Sequence, residues 1–165
     1  MCIRDRLNPE KGFYFDGRIA ENFKLNTGTW VSVGNVRSKL LDALGGIVID
    51  AIIVGEDQEY LSAFLIPDIL FCSNLLNLNI QDSEEKILSH QILKNKILEI
   101  LTSYKNNNHS KSQYIKKVVF FRDVLSKAKG EITDKGSINQ IKFILNRDQL
   151  VKKLFMNQLK EIISI

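Results

Sequence analysis

The sequence predicts an α/β (α+β) domain: an N-terminal β-hairpin, then a small three-stranded sheet flanked by helices. Three observations carry that expectation. Residues 13–33 alternate apolar and polar side chains around Asn26-Thr27-Gly28, the turn chemistry of a hairpin. Ile47–Val54, Tyr60–Ile66 and Lys116–Phe121 are apolar runs of strand length. Between them, apolar residues recur at helical spacing at Val36, Leu40, Leu41 and Leu44, and again from Ile87 to Leu101.

Each element has its own local cause. In the hairpin, Phe13, Phe15, Ile19, Phe23 and Leu25 precede the turn, and Trp30, Val31 and Val33 follow it. Asn35 is the expected N-cap of the first helix, which Gly45-Gly46 ends. The run Ile47–Val54 is nearly continuous, as in a strand covered on both faces. Glu56-Asp57-Gln58-Glu59 forms a polar turn, and Pro67-Asp68 stops the second strand. Part of 69–82 is expected to be helical, and Ser83-Glu84-Glu85-Lys86 has the composition of a capped helix start. Residues 105–112 read as a polar loop. Ser137 is the expected cap of a last helical region, 137–165, broken near Asn146.

The chain has 165 residues, 44% of them hydrophobic and 25% charged, as expected of one globular domain with its own core. No apolar run approaches the roughly 18–20 residues that cross a bilayer, and the first residues have no apolar stretch of a secretory signal. Cys2 and Cys72 lack metal-ligand spacing, which points to no structural disulfide and to a cytoplasmic setting. His90 and His109 have no partners at ligand or triad spacing, and no metal site is expected.

The net charge of +4 is unevenly spread. Residues 1–75 carry seven Lys/Arg against ten Asp/Glu, and residues 76–165 carry sixteen against nine. The basic half suits either a set of solvated helix faces or a polyanionic partner, such as a phosphorylated cofactor. Clustered arginines interleaved with aromatics, the pattern of a nucleic-acid surface, are missing from the sequence.

Two stretches place a lysine beside glycines. The first is Asp16-Gly17-Arg18-Ile19-Ala20-Glu21-Asn22-Phe23-Lys24-Leu25-Asn26-Thr27-Gly28-Thr29-Trp30-Val31; the second is Gly130-Glu131-Ile132-Thr133-Asp134-Lys135-Gly136-Ser137-Ile138-Asn139. Together they resemble the two active-site faces of the C-terminal lid domain of adenylate-forming acyl-CoA synthetases, closest in wording to feruloyl-CoA synthases. The resemblance covers roughly residues 12–145, without the large domain of such an enzyme.

The resemblance implies a division of labour. Arg18 would lie against the ribose and phosphate of an adenylate, where a planar, permanently charged fork fits. Ala20 stands at the hinge, where Asp or Lys is usual. Lys24 would serve thioester formation, and Gly28 and Trp30 would line the path of coenzyme A. Lys135, with Lys129 in reserve, would bridge carboxylate and α-phosphate during adenylation, because a cation there relieves the repulsion of two anions. In most of the superfamily that lysine directly follows the glycine; here Glu131 does.

By the same resemblance, residues 1–16 are a linker, the remnant of the preceding large domain's end, and Met1–Arg6 is not the native start. Residues 17–165 are the lid: hairpin 13–33, body 35–122, lysine loop 125–136 and C-terminal helices 137–165. The whole enzyme would use ATP, Mg2+ and coenzyme A with an aromatic carboxylic acid. Its partner would be the missing N-terminal adenylation domain, with no nucleic acid and no membrane involved. Two other readings stay open: a stand-alone coenzyme A- or nucleotide-binding module, and a nucleic-acid-binding domain.

Overall fold

The computed structural model describes residues 3–8, 12–79, 81–108 and 110–165, with side chains from Arg18 onward. His109 and Cys2 therefore lie outside the described residues. Strands β1 (Ile3–Asn8) and β2 (Gly12–Arg18) pair antiparallel, so the stretch expected as a linker contains a strand ladder. A 3-10 turn, Ile19–Glu21, leads into β3 (Phe23–Lys24), which pairs with β4 (Trp30–Val31). The hairpin read over 13–33 is thus confined to its inner part, because β2 pairs backward with β1.

Helix α1 spans Val33–Leu44 and begins at Ser32, ahead of the expected cap Asn35. The reason is tertiary: the Asn22 carboxamide oxygen accepts the Val33 N–H at 3.0 Å, satisfying one orphan donor of the first turn from the hairpin side. Its apolar face, Val33, Val36, Leu40 and Leu44, is buried. Gly45, at φ 57°, closes the helix in a conformation other residues adopt only at a cost.

Strands β5 (Val48–Val54) and β6 (Leu61–Pro67) then form an antiparallel pair. Helix α2 (Ile69–Leu75) is capped by Asp68, which accepts the Phe71 N–H. Helix α3 (Glu84–Leu88) is capped by Ser83 as its sequence indicates. Helix α4 (Gln91–Asn107) starts where His90 Nδ1 accepts the Ile92 N–H at 3.3 Å. His90 is therefore a helix cap rather than a mid-helix residue.

Strand β7 (Ile115–Phe120) lies parallel to β6. Helices α5 (Gln140–Asn146) and α6 (Asp148–Phe155) follow, broken at Asn146 as expected, with Asn139 rather than Ser137 as the cap. The chain then adds β8 (Ile163–Ser164), antiparallel to β7, so the sheet has four strands in the order β5-β6-β7-β8. The expected count of three missed β8, which lies in a stretch read as helical.

The sheet is a filling between two helical layers. Ala51, Ile53, Leu61, Ala63, Leu65 and Val118 pack with α1 and α4. Ile52, Val54, Phe64, Val119 and Phe121 meet Phe143 and Leu154 of α5 and α6. Truncating a fully buried leucine such as Leu40 or Leu93 would cost about 2–5 kcal/mol. The outer edge of β5 is blunted: Gln140 Oε1 accepts the Ile53 N–H at 2.9 Å, and Asp50 Oδ1 accepts the Ala51 N–H at 2.7 Å.

Candidate functional site

The β3–β4 hairpin separates its side chains by the alternation of a strand. Phe23, Leu25 and Val31 point inward and are buried, while Lys24, Gly28 and Trp30 are exposed. The turn closes with Gly28 N–H to Leu25 C=O at 2.9 Å and Leu25 N–H to Thr29 C=O at 3.0 Å. Its base is anchored on the β5–β6 turn, where Asp57 N–H donates to Lys24 C=O and Asn26 N–H to Gln58 C=O, each at 3.0 Å.

Within this frame Lys24 Nζ lies 5.0 Å from the centroid of the Trp30 ring. Trp30 is 63% exposed, so the indole presents an open face. Gly28 has φ +78°, which accounts for a glycine there, and a Cβ built on it would meet nothing within 4 Å. Its outer side is open space.

Arg18 stands at the start of this segment and donates to Glu21 Oε1 at 3.3 Å. Glu21 is buried, so the pair anchors the 3-10 turn that carries exposed Ala20. Ala20 is thereby the exposed link between the β1–β2 ladder and the rest of the fold.

Lys135 occupies a different loop, between β7 and α5. Thr133 N–H donates to Ser137 C=O and Gly136 N–H to Thr133 C=O, each at 2.9 Å, below a bridge between Ile132 and Ile138. Lys135 and Lys129 are exposed and have no carboxylate partner among the described residues. Among those residues no hydrogen bond, ion pair or ring contact joins Lys135 to the hairpin. The structure thus brings Lys24, Gly28 and Trp30 onto one hairpin, pairs Arg18 with Glu21 in the segment before it, and shows no contact between Lys135 and that hairpin among the described residues.

Glu131, which directly follows Gly130, faces inward and is 1% exposed. Its carboxylate accepts from Arg147 Nε at 2.9 Å, Arg147 Nη2 at 3.1 Å and the Ser126 N–H at 2.7 Å. The Arg147 guanidinium holds its pKa below the usual carboxylate range, and Glu131 in turn raises that of Arg147. Glu131 is a structural anion, with no path to a substrate.

One cluster escaped sequence reasoning. Lys117 Nζ donates to the Tyr60 hydroxyl at 2.6 Å, and Lys116 Nζ lies 4.5 Å from the centroid of the same ring. The ring also packs on Phe155, at 5.6 Å between centroids. Neither lysine has a carboxylate partner among the described residues, although Lys117 is 8% exposed. Two ammonium groups without carboxylate partners among the described residues thus share one aromatic ring. Parallel pairing of β6 with β7, Leu61 opposite Ile115, creates the cluster; the only signal in the sequence was a double lysine at a strand start.

Among the described residues no three His, Cys, Asp or Glu side chains converge as a metal set, and no helix is long and apolar enough to cross a membrane. No family model matches the sequence, and no curated protein matches it. Solved structures do. The adenylation domain of a carboxylate reductase from Mycobacterium chelonae matches 92% of this chain with 22% of its own, at TM-score 0.65 and 15% identity. An adenylation–carrier didomain of a carboxylic acid reductase from Segniliparus rugosus, in complex with AMP, matches 93% with 20%, at TM-score 0.61 and 16% identity. An anthranilate CoA ligase in complex with anthranoyl-AMP matches 92% with 24%, at TM-score 0.57 and 16% identity.

The fold is that of the C-terminal domain of adenylate-forming enzymes. The expected fold class therefore holds, with one more strand in the sheet. The chain spans between a fifth and a quarter of the length of these neighbours. At such identities the likeness establishes the fold alone.

Proposed function

We propose that this chain is the C-terminal lid of an ATP-dependent acid–CoA ligase of the feruloyl-CoA synthase type, acting in the cytoplasm on an aromatic carboxylic acid. The observation that carries the reading is the hairpin, which turns Lys24, Gly28 and Trp30 outward as one group on a domain of this fold.

In the first half-reaction a carboxylate oxygen attacks the α-phosphorus of ATP and pyrophosphate leaves. Lys135, or Lys129 beside it, supplies the cation between the two anionic reactants. In the second, the coenzyme A sulfur, having lost its proton, attacks the acyl carbon and AMP leaves. For this the lid turns about Ala20, and the exposed Lys24–Trp30 face replaces the Lys135 face. Exchange of faces lets one small domain complete two transition states in turn. Arg18, in the segment that precedes the hairpin, would meet the ribose and phosphate of the adenylate. Tyr60, Lys116 and Lys117 suit the phosphate-bearing end of coenzyme A. The acyl pocket and the magnesium ligands would belong to the missing adenylation domain.

The Tyr60 cluster also favours a second reading, a free-standing coenzyme A- or nucleotide-binding module. One reconstitution separates the two. On the ligase reading the 165-residue chain alone forms no thioester, and adding its large adenylation domain restores acyl-CoA formation from acid, ATP and coenzyme A. Coenzyme A binding by the chain, with no effect on any adenylation domain encoded beside it, would instead favour the module.

A further inference from the structure

Arg147 sits at the junction of α5 and α6 and uses its whole guanidinium fork. Nε and Nη2 hold the two oxygens of Glu131 at 2.9 and 3.1 Å. Nη2 also donates to Val124 C=O at 2.9 Å, and Nη1 to Asp123 Oδ2 at 3.0 Å. The plane of the fork rests against Phe121 and Phe143, 4.8 and 5.6 Å from their centroids. Next to it, Asn146 Nδ2 donates to Lys129 C=O at 3.1 Å. Both ends of the stretch 123–131 are therefore tied to one helix junction: Asp123 and Val124 at the near end, Lys129 and Glu131 at the far end.

Lys135 lies four residues beyond Glu131, on a turn stiffened by the Ile132–Ile138 bridge and by the Thr133 and Ser137 hydroxyls, 2.8 Å apart. Its far side is held by the sheet: Ile138 is buried with Ile52, Val54 and Phe143, and Gln140 Oε1 accepts the Ile53 N–H at 2.9 Å. Its near side is held by Glu131, and through Glu131 by Arg147.

We propose that Arg147 and Glu131 are the positioning pair of the adenylation half-reaction, holding the Lys135 turn in register with the helix junction. The proposal rests on the reading of Lys135 as the adenylation lysine. It also accounts for a glutamate at the position where a lysine is usual: the acid is an anchor, and the cation has moved outward along the loop. A displaced charge loses transition-state stabilisation steeply, since about 1 Å of misplacement costs on the order of 100-fold in rate.

The test uses the full-length enzyme, in which the chain is joined to its adenylation domain, and measures the two half-reactions separately. Arg147→Met should lower kcat for pyrophosphate release by about 10- to 100-fold. KM for acid and ATP should stay near wild type, and so should thioester formation from supplied acyl-adenylate. Arg147→Lys keeps the charge and the aliphatic stem but loses the fork; it should show the same split more mildly, and it carries the test if Arg147→Met does not fold. Equal losses in both half-reactions, or no loss in either, would overturn the positioning role. Lys135→Ala serves as the control. If it spares adenylation, the assignment of Lys135 has failed and the proposal with it. If it abolishes adenylation while both Arg147 variants spare it, the positioning pair alone is wrong.

Discussion

Lys24 and Trp30 face each other across the β3–β4 ladder, with the ammonium 5.0 Å from the indole centroid and both side chains exposed. The contact is local, between directly opposed residues, and it orients the lysine without burying it. A cation held against an open aromatic face remains available to an incoming group, as the role proposed for Lys24 requires.

That availability has a thermodynamic signature. An exposed cation–π contact contributes only about 0.5–1 kcal/mol. Lys24→Met should therefore lower the stability of the chain by no more than about 1 kcal/mol, read from a urea titration followed by emission of the sole tryptophan, Trp30. A markedly larger loss would mark Lys24 as structural.

Gly28 should behave differently. Its φ of +78° lies in the left-handed region, where an L-residue other than Gly, Asn or Asp costs roughly 1–2 kcal/mol. Because a Cβ there meets nothing, strain is the whole penalty. Gly28→Ala should destabilise by that amount and Gly28→Asn by less, each measured by denaturant unfolding. Equal effects would point to a clash instead.

The Glu131–Arg147 pair predicts the acid limb of stability. The folded pKa of Glu131 is lowered, first by its hydrogen bonds from Arg147. Its contribution is then complete above the ordinary carboxylate value of about 4.3 and is lost as pH falls through the lowered folded value. The stability difference between wild type and Glu131→Gln should be largest near neutrality and shrink steadily below about pH 4. A difference independent of pH would show that the charge does not matter.

Cys72 is fully buried, its Sγ–H directed at Ile47 C=O at 3.4 Å, and burial pushes the thiol up to about 11, with Asp68 adding to the shift. In a Cys2→Ser chain the remaining thiol should react with an aromatic disulfide reagent at pH 8 only as fast as the protein opens. Rapid labelling in the native state would contradict the packing around α2.

Much of this architecture is local and hence legible in the residues. Gly45 ends α1 because a positive φ is needed there, and β5, β6 and β7 are runs of apolar residues between turn signals. The grouping of Lys24, Gly28 and Trp30 follows from strand alternation about a glycine turn. What the residues conceal is made by tertiary pairing. Strand β8 is two residues long and exists because Ile163 finds Val118. The break between α3 and α4 is hidden because both helices share one apolar spacing, and only the His90 cap reveals it. Tyr60 and Lys117 are 57 residues apart, and Glu131 and Arg147 are 16 apart. Neither pair has a periodic signature, since parallel strand pairing makes the first and a loop folding back on a helix junction makes the second.

On the proposed function, one domain carries two chemically distinct faces, Lys24 on the hairpin and Lys135 on the loop before α5. Single-turnover kinetics of the two proposed half-reactions, in a ligase that joins this chain to its adenylation domain, separate the faces. Lys24→Ala should slow thioester formation and spare adenylate formation, and Lys135→Ala should slow adenylate formation and spare thioester transfer. If both substitutions leave both half-reactions intact, or if each slows both equally, the two-face account is contradicted.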